Sequence, residues 1–178
     1  MKLRFVVFVL FVSLLTVVQA RATLLPSACG DNRIRFDVNT TESKLLPAPP
    51  PEGKAQIVFI ENENQAIAPF MYATVRFGMD GAWVGASNNN SYFIVTVDPG
   101  VHHVCASWQT TLKNLKKSID VASFTAEPGK IYYFAANLTV TPVDNTTTTF
   151  DFNLLPTDED EGKYRVKAWK LASWKSNN

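Results

Sequence analysis

The chain has 178 residues, 46% of them hydrophobic, with 17 basic side chains against 16 acidic ones. That balance leaves no electrostatic footprint for nucleic acid and no basic patch for an anionic membrane. The length suits one domain with a real hydrophobic core.

The first residues have a tripartite design. Lys2 and Arg4 open it, Phe5 to Val18 is apolar except for Ser13 and Thr16, and small residues follow at Val18-Gln19-Ala20 and Ala20-Arg21-Ala22. This predicts a signal peptide over residues 1–22, cleaved after Ala20 or Ala22, and a periplasmic or extracellular product. The apolar run is shorter than the roughly 20 residues that span a bilayer as a helix, and no later segment is long enough either. The released chain is therefore expected not to be an integral membrane protein. Cys29 follows Pro26-Ser27-Ala28, but a lipid-modified cysteine sits directly behind the apolar core with a Leu three residues earlier, so lipidation is not expected. Losing residues 1–22 removes Lys2, Arg4 and Arg21, which brings the net charge to about −2.

Residues 23–52 read as a lead-in strand and connector. Ile34, Phe36 and Val38 alternate with polar neighbours as a half-buried strand does. Pro47, Pro49, Pro50 and Pro51 then impose an extended polyproline segment. Residues 53–156 read as short strands between turn signals. Strands are expected at Ala55 to Ile60, Tyr72 to Phe77, Ala82 to Gly85, Tyr92 to Val97, Val101 to Trp108, Ile119 to Ala126, Ile131 to Val140 and Thr146 to Leu154. Asp80-Gly81, Asn88-Asn89-Asn90, Asp98-Pro99-Gly100 and Pro128-Gly129 are the reversals between them. The spacing predicts an antiparallel sandwich or barrel, read here as a β-sandwich with Val75, Phe77, Phe93, Val95, Val104, Phe124 and Tyr133 in its core. Residues 157–178 read as a short helix opening at Thr157-Asp158-Glu159-Asp160, then a frayed tail from Lys175.

Cys29 and Cys105 are the two cysteines. An even count in an exported chain predicts one disulfide between them, with two buried thiols as the alternative. Two distant cysteines are too few for a zinc site.

Candidate chemistry is sparse. His102 and His103 are neighbours on a strand and point to opposite faces, so they cannot chelate one metal together. Asp80, Asp98 and Asp120 fall at turns or strand edges, where Asp serves backbone geometry. The acids of 158–161 lack the ligand spacing of a calcium loop. No serine sits in a nucleophile elbow, and Lys113, Lys116 and Lys117 read as a solvated basic loop. No catalytic residue, metal or cofactor is expected. The strand aromatics are the suggestive group: Trp83, Tyr92 and Trp108, if exposed, would form a ligand face for sugar rings or peptides. The sequons at Asn39, Asn89, Asn137 and Asn145 mark segments expected to be polar and exposed.

Four motifs occur in order: Pro51-Glu52-Gly53-Lys54-Ala55, Met79-Asp80-Gly81-Ala82-Trp83-Val84-Gly85, Asp98-Pro99-Gly100-Val101-His102-His103-Val104 and Glu127-Pro128-Gly129-Lys130-Ile131-Tyr132-Tyr133. From Pro51 to Leu155 the chain resembles the bacterial envelope family called domain of unknown function 2846. Its lead-in and paired cysteines resemble acidobacterial-type secreted variants. The hairpin pattern is also similar to PEGA-type and transthyretin-like surface domains, and the sandwich is expected to be immunoglobulin/transthyretin-like. The chain is expected to be a non-enzymatic interaction module of the cell envelope with an envelope protein or polysaccharide as its partner, or else a carbohydrate- or peptide-binding module using an exposed aromatic face. The resemblance itself implies almost nothing about activity, because fold alone does not carry one.

Overall fold

The computed structural model describes residues 26–43, 45–63, 74–109, 118–143 and 148–177. The signal peptide, the loop carrying Lys113, Lys116 and Lys117, and the sequon at Asn145 lie outside these residues. Ten strands and one helix run in the order β1 (Arg35–Glu42), β2 (Ala55–Glu63), β3 (Thr74–Met79), β4 (Ala82–Ser87), β5 (Ser91–Val97), β6 (Gly100–Gln109), β7 (Ile119–Ala126), β8 (Ile131–Pro142), β9 (Thr148–Thr157), α1 (Glu159–Ala168) and β10 (Lys170–Asn177). They form two sheets, a six-stranded one ordered β1-β10-β5-β2-β8-β9 and a four-stranded one ordered β4-β3-β6-β7.

The sheets face each other across one core. Phe77, Val75 and Val104 from the smaller sheet pack on Ile57, Phe59, Phe93 and Phe134 from the larger. Phe59, Phe77 and Phe93 form its aromatic centre, with ring centroids 5.0–5.5 Å apart. The period-2 rule explains the membership, since inward positions alternate along each strand. Val75, Phe77, Phe93 and Val104 are buried there as expected, and Val95 and Phe124 pack against them half-buried.

Tyr133 is a correction. It is buried, but on the opposite face of β8, in a second cluster with Val58, Ile60, Tyr92 and Val166 under α1. A central strand covered on both faces has two apolar sides, and Tyr132 and Phe134 supply the inward one. The helix sits close because Gly162 offers no Cβ, which would stand 2.3 Å from Tyr133 Cγ. Its start is as the sequence indicates: the Asp158 carboxylate accepts from the Glu161 N–H at 2.9 Å, with three acids in the first turn.

The antiparallel expectation also needs correcting. The four-stranded sheet is antiparallel throughout, but β2 pairs with β8, and β10 with β5, in parallel. Parallel neighbours require crossovers. Between β2 and β8 the chain passes through the smaller sheet and β5, and between β5 and β10 it passes through β6 to β9 and α1. The tail is the second departure. It is strand β10, paired with all of β1 from Glu42↔Lys170 to Arg35↔Asn177. Lead-in and tail thus complete the main sheet instead of flanking it. No described helix is long and apolar enough to cross a membrane.

Candidate functional site

Residues 26–34 form a strap over the outer face of the four-stranded sheet. The disulfide Cys29–Cys105 fixes it to β6, with Cα atoms 5.4 Å apart. Gly78 on β3 lets it lie flat, because a Cβ there would stand 2.9 Å from the Ala28 carbonyl oxygen. The remaining anchors are donors from the sheet to strap carbonyls. Arg76 donates to Ile34 O at 2.8 Å and Asn32 O at 3.2 Å, and Trp83 Nε1 donates to Asp31 O at 2.6 Å. The Arg76 guanidinium also lies 4.4 Å from the Trp83 ring centroid, a cation–π contact. Burial, and Arg35 nearby, lower the Arg76 pKa to about 10, so it stays charged at neutral pH.

Beside the strap a cleft of about 430 Å³ opens between strap, β1, β4 and β10. Trp83 and Trp174 line it together with Phe36, Asp31 and Ser176. Glycine seats each indole. A Cβ at Gly30 would lie 2.5 Å from Trp83 Cδ1, and one at Gly85 would lie 2.9 Å from Trp174 Cζ2. Trp174 packs at a tilt against Phe93, with ring centroids 4.6 Å apart, and keeps 37% of its surface exposed. Asp31 is gripped by Arg33, whose backbone N–H, Nε and guanidinium NH2 all donate to its carboxylate. Those hydrogen bonds hold its pKa down at about 2.

Of the three aromatics expected to share a face, only Trp83 lines this cleft. Tyr92 is 2% exposed and lies under α1, while Trp108 is 5% exposed. Trp108 packs on Leu138, Phe150 and Phe152 inside the sandwich. Trp108 points inward by the alternation of β6, and Tyr92 points outward into a surface that the helix occupies. They do not form a ligand face. Trp174 is the partner the sequence reading lacks, because residues 157–178 read as a short helix and tail, whereas Lys170–Asn177 is strand β10. The Leu171-Ala172-Ser173-Trp174 alternation was the available signal.

The polar candidates serve the scaffold. Asp80 Oδ1 accepts from the His103 N–H at 2.9 Å, and Asp120 Oδ2 accepts from the Leu154 N–H at 2.7 Å, clasping β7 to β9. His102 packs against Phe124 while His103 is exposed, so the two do face opposite ways. The His102 ring is held at both nitrogens, Nδ1 to Asp80 Oδ2 at 2.7 Å and Nε2 to the Asp98 carbonyl at 2.8 Å. Both partners are acceptors, and only the imidazolium donates from both nitrogens. Burial opposes the charge, but the hydrogen bonds to Asp80 and Asp98 and their negative charges outweigh it and raise the His102 pKa. Lys54 in turn pairs with Asp98, so three turns meet here.

Two further polar features were not legible beforehand. Glu61 lies wholly inside the sandwich, with Oε2 accepting from the Asn90 N–H at 2.7 Å. Burial first, and Glu63 second, push its pKa up to about 8. Asn137 is not an exposed sequon. It is half-buried in a ladder, accepting from Asn62 at 2.7 Å and donating to Asn153 at 2.8 Å across β2, β8 and β9. Among the described residues no three His, Cys, Asp or Glu side chains converge as metal ligands.

Comparison of the chain with protein-family models and with curated proteins finds no match in either.

Proposed function

We propose that this chain is a non-enzymatic interaction module of the bacterial cell envelope, exported to the periplasm or cell exterior and docking its partner at the Trp83–Trp174 cleft. In this reading the sandwich is of the immunoglobulin/transthyretin type, and the resemblance to domain of unknown function 2846 reflects a shared envelope role. The single observation that carries the proposal is the cleft. Two indoles stand on paired strands, each seated by a glycine, and one wall is a strap fixed by a disulfide. Exposed aromatics held in fixed positions bind at low entropic cost, the property that enriches them at recognition surfaces. A disulfide also suits an oxidising compartment.

The test couples location to binding. Fractionation of producing cells is expected to place the protein outside the cytoplasm, with an intact mass beginning at Arg21 or Thr23. The immobilised mature protein should then retain a protein or polysaccharide component of solubilised envelopes that Trp174→Ala fails to retain. A full-length chain confined to the cytoplasm, or equal retention by both proteins, overturns the proposal.

A further inference from the structure

Resting on that reading of the cleft, we infer that its ligand is a neutral sugar ring of a glycan chain. Three classes of partner offer indole-lined clefts a fit: sugars stack on ring faces, cations sit over them, and peptides pair with nearby strand edges. The surroundings separate these.

A cation site needs negative charge left over. Here Asp31 is the acid of the cleft, and Arg33 already takes up its carboxylate through both backbone and side chain. Arg76 adds a positive charge behind Trp83, with Arg35 close enough to lower its pKa. Among the residues lining the cleft no carboxylate is left over for a cation. A peptide would need unpaired backbone at the wall of the cleft, as strand addition requires. At Phe36 and on the strap that backbone is taken. The Phe36 N–H donates to Gln109 Oε1 at 2.8 Å, and Gln109 Nε2 donates to Phe36 O at 2.9 Å. The strap carbonyls of Asp31, Asn32 and Ile34 are occupied by Trp83 and Arg76.

What is left suits a sugar. Trp174, 37% exposed, offers an apolar face for the C–H side of a pyranose, and half-exposed Trp83, with Arg76 on one face of its ring, lines the cleft beside it. The Ser176 hydroxyl and the Asp31–Arg33 pair give a polar rim with no net charge. The 430 Å³ volume lies within the range of roughly 300–1,000 Å³ common for ligand pockets.

The test is indole fluorescence and calorimetric titration of the folded, oxidised protein. The probes are chitotetraose, cellohexaose, maltohexaose, choline and a lysine-rich peptide. At least one oligosaccharide is expected to bind saturably. Trp174→Ala should weaken that binding tenfold or more, and Ser176→Ala, which leaves the Trp174–Phe93 contact in place, should weaken it several-fold. Circular dichroism checks that both variants fold. Choline or peptide binding in place of sugar overturns the ligand class, as does binding by none of the probes or sugar binding untouched by both variants. Each of these results leaves the interaction reading standing if Trp174-dependent retention of envelope material persists. Loss of that retention as well brings down both.

Discussion

Raising the pH should release the His102 clamp, and the structure fixes the direction of the effect. His102 joins the β3–β4 turn, through Asp80, to the β5–β6 turn, through the Asp98 carbonyl. The charged and titratable groups around it are Asp80, Asp98 with its partner Lys54, and His103 on the opposite face. A hydrogen bond to a charged group contributes about 1.5–3 kcal/mol when well shielded. The Asp80 side chain is 43% exposed, so solvent screening cuts this, and ~1–2 kcal/mol is reasonable for the clamp. In a domain of this size that is ~3–6 °C in Tm.

The His102 pKa is raised in the fold above an unfolded value of about 6.5. Its contribution is then complete below about pH 6.5 and is lost as pH rises through the folded pKa. Asp80, lowered in the fold despite some burial, contributes above its unfolded pKa of about 3.9 and loses that contribution as pH falls through the folded value. Glu61, raised to about 8, also weakens the fold as pH rises, so the wild-type slope alone is ambiguous. The decisive comparison is Tm against pH for wild type and His102→Gln. Between about pH 5.5 and 9 the wild type should lose ~3–6 °C more than the variant. Parallel profiles, or an NMR titration placing His102 at or below about 6.5, would refute the imidazolium assignment.

Glu61→Gln keeps the shape of the side chain and removes its buried titration, so the variant should show a shallower fall in Tm between about pH 4.5 and 8 and melt higher than wild type above that range. Cys29→Ser opens a linkage across 76 positions, for which chain entropy gives about 4.5 kcal/mol. Its Tm should fall by ~10–15 °C, and its tryptophan emission should shift red as the strap leaves Trp83; a drop of only a degree or two would show that the strap holds without its staple. Gly162→Ala should destabilise, although alanine in a helix interior ordinarily gains about 1 kcal/mol over glycine. The new Cβ meets the Tyr133 ring at 2.3 Å, and overpacking of this kind costs about 1–3 kcal/mol. A higher Tm for this variant would mean that α1 does not pack on β8 as described.

Local chemistry was readable from the chain because it is written in neighbouring residues. Alternation placed Val75 with Phe77 and Phe93 with Val95. Turn residues marked the reversals, where Asp80, Asn89, Asn90, Gly81, Gly100 and Gly129 do take positive φ. Asp158 and the acids after it marked the helix start. The even cysteine count pointed to the pair that the structure joins.

Tertiary structure decided what depends on partners distant in the chain. Period 2 says which residues share a face but not what covers that face. Only the path of α1 buries Tyr92 and turns Tyr133 from a core residue of the sandwich into a contact of the helix. A strand reads alike whether its neighbour is parallel or antiparallel, so the β2–β8 and β5–β10 pairings were invisible. The tail looked frayed because polar Lys175, Ser176 and Asn177 reveal nothing by themselves. They are ordered by β1, more than a hundred residues away, and that pairing brings Trp174 to Trp83 and makes the cleft.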